Sequence, residues 1–139
     1  MSTKRIPHNA FIVVADGVGA RFFRNSGKDF EIALVPDGDF KPSHLEDDGP
    51  SGHRPPESSD QDTDEATFAK QLAHELYRRV HAGGFDSLAL IADPRTLGRI
   101  RPLLHKEVQD RVVSEIHKSM TKATLSDIQK SLNASTEAA

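Results

Sequence analysis

Cysteine is absent from the 139-residue chain, which excludes disulfide bonds, thiolate metal sites and a cysteine nucleophile. Tryptophan is also absent and tyrosine occurs once, so aromatic platforms for stacking nucleic-acid bases are scarce. No apolar run approaches the roughly 18 residues of a transmembrane helix. The first eight residues lead into no apolar segment of signal-peptide length. We therefore expect a cytoplasmic protein.

The net charge of −3 conceals an uneven distribution along the chain. Residues 37–65 hold ten acidic and two basic residues, which gives −8, so the remainder carries +5. A solvated loop and a solvated face would explain this pattern. The alternative is that the basic part meets an anionic partner such as RNA while the acidic segment modulates access.

The acidic segment is also rich in helix- and strand-breaking residues. Residues 36–65 contain five prolines and three glycines. Proline removes backbone donors, and concentrated charge opposes collapse onto a core. We predict a flexible acidic loop over 37–65, which in so small a domain is either functional or disordered.

Three strand-like runs precede this loop. An almost unbroken apolar run covers Ala10–Ala15, as expected for a central strand covered on both faces. The Asp-Gly pair in Asp16–Gly19 is typical of a hairpin turn and leads into Ala20–Arg24. Alternating apolar residues then predict a third strand over Phe30–Val35. This strand would lie at the sheet edge, where its apolar residues could pair with a second copy.

The periodicity becomes helical after the loop. Apolar residues four apart run from Phe68 to Val80 and predict a helix with one apolar face. Asp62 is the expected N-cap, with Glu65 in the capping-box position three residues later. Gly83 and the glycine after it would end the helix.

The last third alternates strand and helix signals. Leu88–Ala92 predicts a second buried strand, and Asp93 followed by proline predicts the N-cap and first residue of another helix. Pro102 should end or kink that helix. Residues 106–118 fit either a fifth strand or a helix. A short final helix follows near 125–132, with a frayed tail over 134–139.

The element order is β-β-β-α-β-α-β-α. Two hairpins followed by two right-handed crossovers place the fourth and fifth strands beside the first. We therefore predict one α/β domain over residues 1–139. Its fold would be ribonuclease H-like, a five-stranded mixed sheet of order 3-2-1-4-5 with helices on both faces and a long loop between strand 3 and helix 1.

Five segments taken in order resemble one bacterial family. They read "FIVVADGVGARFF", "SGHR" within the proline-rich loop, "FAKQLAHELYR", "LALIADPRTLGRIRPLL" and "VVSEIHKSMTK". Over residues 9–133 the chain resembles the proteins required for attachment to host cells, the host attachment family. That family is similar to the middle domain of archaeo-eukaryotic peptide-chain release factors.

The resemblance implies a position for function but not a catalytic residue. In the release factors, the loop between strand 3 and the first helix carries a Gly-Gly-Gln tip that enters the peptidyl-transferase centre. This chain has its proline- and glycine-rich loop at the equivalent place but lacks that motif. Enzymatic activity therefore stays open, and no cofactor is expected.

Two sets of residues are candidates for binding. The first is the loop tip, where glycine allows close backbone approach and arginine can pair with a phosphate; it comprises Gly49, Gly52, His53 and Arg54. The second is a basic set for binding anions, and it comprises Arg95, Arg99, Arg101, Lys106, Lys118 and Lys122. A mobile linker and a merely soluble surface would explain these sets equally well.

A metal site is a weaker alternative. Asp16 and Asp93 end neighbouring predicted strands, and Glu75 lies on the first helix, as in two-metal nucleases of this topology. A turn, a helix cap and a solvated surface explain the three carboxylates without a metal. Histidines 44, 53, 74 and 81 have no ligand spacing and are expected at the surface.

Three functions follow in order of preference. The first is a ribosome- or tRNA-associated accessory factor derived from a release-factor domain. The second is a non-enzymatic protein-interaction module that affects cell attachment. The third is a metal-dependent nuclease. The sequence predicts no membrane insertion and leaves the oligomeric state open.

Overall fold

The computed structural model describes residues 6–27, 31–41 and 60–137. The strands and helices in chain order are β1 (Phe11–Ala15), β2 (Ala20–Asn25), β3 (Leu34–Phe40), α1 (Asp60–His81), β4 (Leu88–Ala92), α2 (Pro94–Ile100), α3 (Lys106–Gln109), β5 (Val112–His117) and α4 (Leu125–Glu137).

The five strands form one mixed sheet in the order β3-β2-β1-β4-β5, which confirms the predicted topology. β1 pairs antiparallel with β2 and parallel with β4, so that Ala15 lies opposite both Ala20 and Ala92. The order follows from the chain itself, because hairpins join neighbouring antiparallel strands and helices join the parallel ones.

The central strands are covered on both faces. Every residue of β1 and β4 is buried, as their continuous apolar runs predict. Alternate residues face opposite sides, so Val13 packs in the cluster formed with α1 and α2 while Val14 packs in the cluster formed with α4. The helices therefore lie on both faces, as predicted.

The third strand is displaced from its predicted position. β3 begins at Leu34 instead of at Phe30, which lies outside the described residues, and it continues to Phe40. Ile32 and Leu34 are buried in the core, so they do not offer an apolar edge to a second copy. Pro36 is tolerated because β3 is an edge strand with an irregular register against β2.

This displacement shortens the predicted loop at both ends. Asp37–Phe40 belongs to β3, and α1 begins at Asp60, before the expected cap at Asp62. The helix ends as expected: Gly83 adopts a φ of 74°, and the Gly84 amide donates to the Arg79 carbonyl at 2.7 Å. Positive φ there favours glycine, which completes the helix C-cap.

Residues 106–118 contain both of the structures that their sequence fits. Pro102 lies in a single turn of 3-10 helix that follows α2, consistent with its predicted stop. α3 then occupies four residues, and β5 follows directly. α4 is longer than predicted, because it runs to Glu137 through residues assigned to a frayed tail. The Thr124 hydroxyl accepts from the Asp127 amide at 3.1 Å in the first turn of α4.

Candidate functional site at the carboxyl edge of β1 and β4

The carboxyl ends of β1 and β4 meet at one edge of the sheet, because the two strands are parallel and in register. The hairpin turn Asp16–Gly19 leaves β1 at this edge, and Asp93 leaves β4 beside it. In open α/β sheets, ligands bind outside the carboxyl ends of the strands. We call this region the carboxyl edge.

Asp16 holds two parts of the carboxyl edge together. Its Oδ1 accepts hydrogen bonds from the amides of Val18 at 2.8 Å and Gly19 at 2.9 Å. Its Oδ2 accepts from the Thr121 hydroxyl at 2.7 Å. Asp16 therefore closes the hairpin turn and anchors the segment that follows β5.

Asp93 is the N-cap of α2, as the sequence predicts. Its Oδ2 accepts from the Thr96 amide at 3.1 Å, and Pro94 is the first helical residue. Partial burial alone would raise the pKa of Asp93, but hydrogen bonds from Thr96 and from nearby backbone amides lower it overall. The carboxylate is thus kept ionised by its capping role.

Glu65 is a member of this edge that sequence reasoning assigned only to a capping box. Its side chain is 12 % exposed and lies against Gly17, where a Cβ would come within 2.7 Å of Oε2. Arg95 Nε and Arg99 Nη2 lie 3.7 and 3.6 Å from its Oε1. One carboxylate on α1 therefore gathers two arginines of α2 beside the hairpin.

The end of β3 and an early turn of α1 both lie beside this hairpin. Phe40 pairs with Ala20, and the Lys41 side chain approaches Gly19. Glu65, in the second turn of α1, lies against Gly17. Residues 42–59 join β3, which ends at the carboxyl edge, to α1, which passes this edge at Glu65. The loop-tip candidates Gly49, Gly52, His53 and Arg54 lie outside the described residues.

The predicted anion-binding residues separate into two groups. Arg95 and Arg99 lie at the carboxyl edge, and Lys118 and Lys122 are exposed residues of the segment that Thr121 anchors there. Two of the four cations thus lie on the α2 side of this edge, and two lie in the segment that Thr121 anchors to it.

The other two cations lie elsewhere. Arg101 donates to both carboxylate oxygens of Glu115 in β5, and this hydrogen bonding raises the pKa of the guanidinium. Lys106 Nζ lies 3.6 Å from Asp110 Oδ1 within the α3 region. The basic set is therefore not one continuous patch.

The three carboxylates of the nuclease hypothesis are not brought together. Glu75 accepts hydrogen bonds from Arg78 and Arg79, and the pKa of Glu75 is lowered chiefly by the bond from Arg78. The Arg79 guanidinium covers the ring of Phe11 at the start of β1, the end opposite to Asp16. Within residues 6–27, 31–41 and 60–137, no three His, Asp or Glu side chains are grouped to hold a metal ion.

A second cluster was missed because its members are distant in sequence. The ring of Tyr77 stacks on His105 with centroids 4.1 Å apart, and His81 meets its edge at 4.4 Å. The spacing of His74, Tyr77 and His81 along α1 was the available signal, since positions three and four apart share a helix face.

The family comparison agrees with the topology. The sequence model of bacterial archaeo-eukaryotic release factor family 12 matches residues 9–132. The chain belongs to this family. The relation to release factors that the resemblance implies is thereby confirmed. No curated protein is significantly similar to the chain. Among the helices of the described residues, none is long and apolar enough to cross a membrane.

Proposed function

We propose that this release factor family 12 protein is a cytoplasmic accessory factor that associates with the ribosome or tRNA. The carboxyl edge and residues 42–59 would form its contact surface. The observation that supports this proposal is that β3, which precedes the connection, and α1, which follows it, both lie against the hairpin Asp16–Gly19. In the release factors that the chain resembles, the equivalent connection carries the functional tip.

The charges of the carboxyl edge favour an RNA partner. Arg95 and Arg99 flank Glu65, while Lys118 and Lys122 flank Thr121. The two guanidinium groups lie 3.6–3.7 Å from Glu65, and the Arg95 side chain is 60 % exposed; arginine is well suited to pairing with a phosphate. Because the chain has no Gly-Gly-Gln motif, the proposal covers binding and assigns no peptidyl-tRNA hydrolysis.

Co-sedimentation with bacterial ribosomes over a salt series tests the proposal. The variants are Arg54→Ala, the pair Arg95→Ala and Arg99→Ala, and a chain in which residues 43–58 are replaced by glycine and serine at equal length. We expect salt-sensitive binding that weakens in each variant, since contacts to phosphates release counterions. Lys130→Ala, an exposed change on α4, is the matched control.

Two results would overturn the proposal. One is the absence of co-sedimentation at low salt, where electrostatic attraction is least screened. The other is binding that none of the three variants weakens relative to Lys130→Ala. Circular dichroism of each variant checks that the fold is retained.

A second candidate is a protein-interaction module that affects cell attachment, the role in the name of the resembling family. The outer edge of β5 favours it, because β5 pairs only with β4 among the described residues and contains no proline or glycine. Such an edge can accept an extended segment of a partner protein. Val113→Lys in β5 should then reduce attachment, whereas Val35→Lys on the opposite edge should not. Equal attachment of the cells that carry either variant would contradict this role.

A further inference from the structure

A groove separates α1 from the segment that follows α2. Lys70, His74 and Tyr77 line it from α1, and Leu103 and His105 line the other side. Its volume is about 260 Å³. We call it the Tyr77 groove. Its residues are not those of the carboxyl edge.

The rings in the Tyr77 groove form a stack with an open end. Tyr77 and His105 stack at a centroid distance of 4.1 Å with 29° between their planes. The His105 side chain is 52 % exposed, so the stack can be extended outward by another planar ring. Leu103, a 41 % exposed apolar side chain, adds a contact surface beside it.

The backbone holds this stack in place. The His105 carbonyl accepts hydrogen bonds from the amides of Val108 and Gln109, both at 2.9 Å, at the start of α3. The Gln109 side chain donates to the Leu104 carbonyl at 2.9 Å. His105 is therefore positioned by its local structure before any ligand arrives, which lowers the entropic cost of binding.

The charged groups around the groove include both signs. Lys70 and His74 are exposed on the α1 side. Glu107 Oε1 lies 2.8 Å from His81 Nε2, within hydrogen-bonding distance, and 4.0 Å from His105 Nδ1, beyond it. Lys70 is thus a cation that a phosphate can approach from the side of the groove away from Glu107.

We infer that the Tyr77 groove binds one unpaired nucleotide of a single-stranded RNA, with its base on His105 and its phosphate near Lys70. Aromatic stacking next to a cation is the usual means of holding single-stranded nucleic acid, and every base offers a planar face. An acidic peptide would use Lys70 but would leave the open end of the ring stack without a partner. This site stands apart from the proposed ribosomal contact of the carboxyl edge.

Tyr77 supplies a built-in probe for the test. It is the only tyrosine, and the chain has no tryptophan, so intrinsic fluorescence reports on this groove alone. Titration with hexaadenylate RNA should quench it saturably. Adenosine should bind at least about tenfold more weakly, because it lacks the phosphate that the site places near Lys70.

Substitutions in the groove test which residues contact the RNA. His105→Ala should weaken RNA binding by about 5- to 150-fold, the range for loss of one stacking platform. His105→Phe should retain most of the affinity, because it keeps the planar ring. Lys70→Ala should reduce the slope of log affinity against log salt concentration by about one, as expected for the loss of one phosphate contact. His8→Ala, whose exposed imidazole contacts the Gly27 carbonyl, is the control.

The outcomes separate this site from the carboxyl edge. Arg95→Ala should leave the quenching of Tyr77 unchanged even where it weakens ribosome binding. The inference is overturned by an absence of quenching, by equal affinity for adenosine and hexaadenylate, or by a hexaglutamate peptide that displaces the RNA. Unchanged binding in His105→Ala with its fold retained would overturn it as well.

Discussion

On one face of the sheet, α1 and α2 pack Phe68, Leu72 and Leu97 against the strands. On the other face, α4 contributes Ile128 and Leu132 as its fully buried residues. The first face therefore buries a long helix through many apolar side chains. The second face buries a shorter helix through few, so other interactions must help to fix α4.

Those other interactions are side-chain hydrogen bonds to backbone groups. Gln129 Oε1 accepts from the Leu34 amide at 2.6 Å, and Asn133 Oδ1 accepts from the Ile32 amide at 3.2 Å. Arg21 donates to the carbonyls of Thr121 and Ala123 at 3.1 and 2.8 Å. Apolar packing therefore fixes the first face, whereas the second also needs specific polar contacts.

The largest effect should come from truncating the first face. Leu72 is fully buried, so Leu72→Ala removes apolar contacts and leaves a cavity. We expect the free energy of unfolding to fall by about 2–5 kcal/mol. Urea denaturation measures this loss. A decrease below about 1 kcal/mol would contradict the dominant role of packing on this face.

The next largest effect should come from removing the Arg21 side chain. Arg21→Ala deletes two charge-assisted hydrogen bonds to the segment before α4, and we expect a loss of about 1.5–3 kcal/mol. Arg78→Ala, at an exposed position on α1, is the matched control. Equal stability of the two variants would show that the hydrogen bonds of Arg21 do not help to fix the second face.

A smaller effect is expected at the bond between α4 and β3. Gln129→Ala leaves the partly buried Leu34 amide without its acceptor, which should cost about 1–2 kcal/mol. Hydrogen exchange should accelerate most at Leu34 and its neighbours. Lys130→Ala should change neither the free energy of unfolding nor the rate of hydrogen exchange at Leu34. Uniform acceleration over the whole chain would indicate that α4 unfolds only together with the first face.

The smallest effect is expected at Asp93, the N-cap of α2 on the first face. Asp93→Ala should lower stability by about 0.5–2 kcal/mol near neutral pH. The pKa of Asp93 is lower in the folded chain than its usual value of 3.8, so the carboxylate stabilises above that value. As the pH falls through the folded pKa, this part of the stability is lost. The difference between wild type and Asp93→Asn should therefore shrink in acid unfolding curves.

Sequence reasoning succeeded where local chemistry and burial agree. The continuous apolar runs predict the buried strands β1 and β4. The pair Asp93 and Pro94 predicts the start of α2. It was wrong about β3, because Leu34–Phe40 contains proline, glycine and two aspartates. That strand exists because β2 supplies hydrogen-bonding partners, and tertiary pairing of this kind overrides local preference.

The candidate site was predictable only in part. The sequence identified Asp16, Asp93, Arg95 and Arg99, which the fold brings to one edge. The approach of Glu65 to Gly17 and the stacking of Tyr77 on His105 join residues far apart in the chain, and periodicity within one element does not reveal such pairs. The role of the loop-tip residues stays a prediction.

The position of β1 in the sheet has a consequence during synthesis. β1 is made before its second neighbour, β4, from which 72 residues separate it in the chain. Until the ribosome has released β4, one edge of an entirely apolar strand has no partner. During that interval the nascent chain exposes an unpaired apolar strand edge, and its vulnerability to aggregation falls only when β4 emerges.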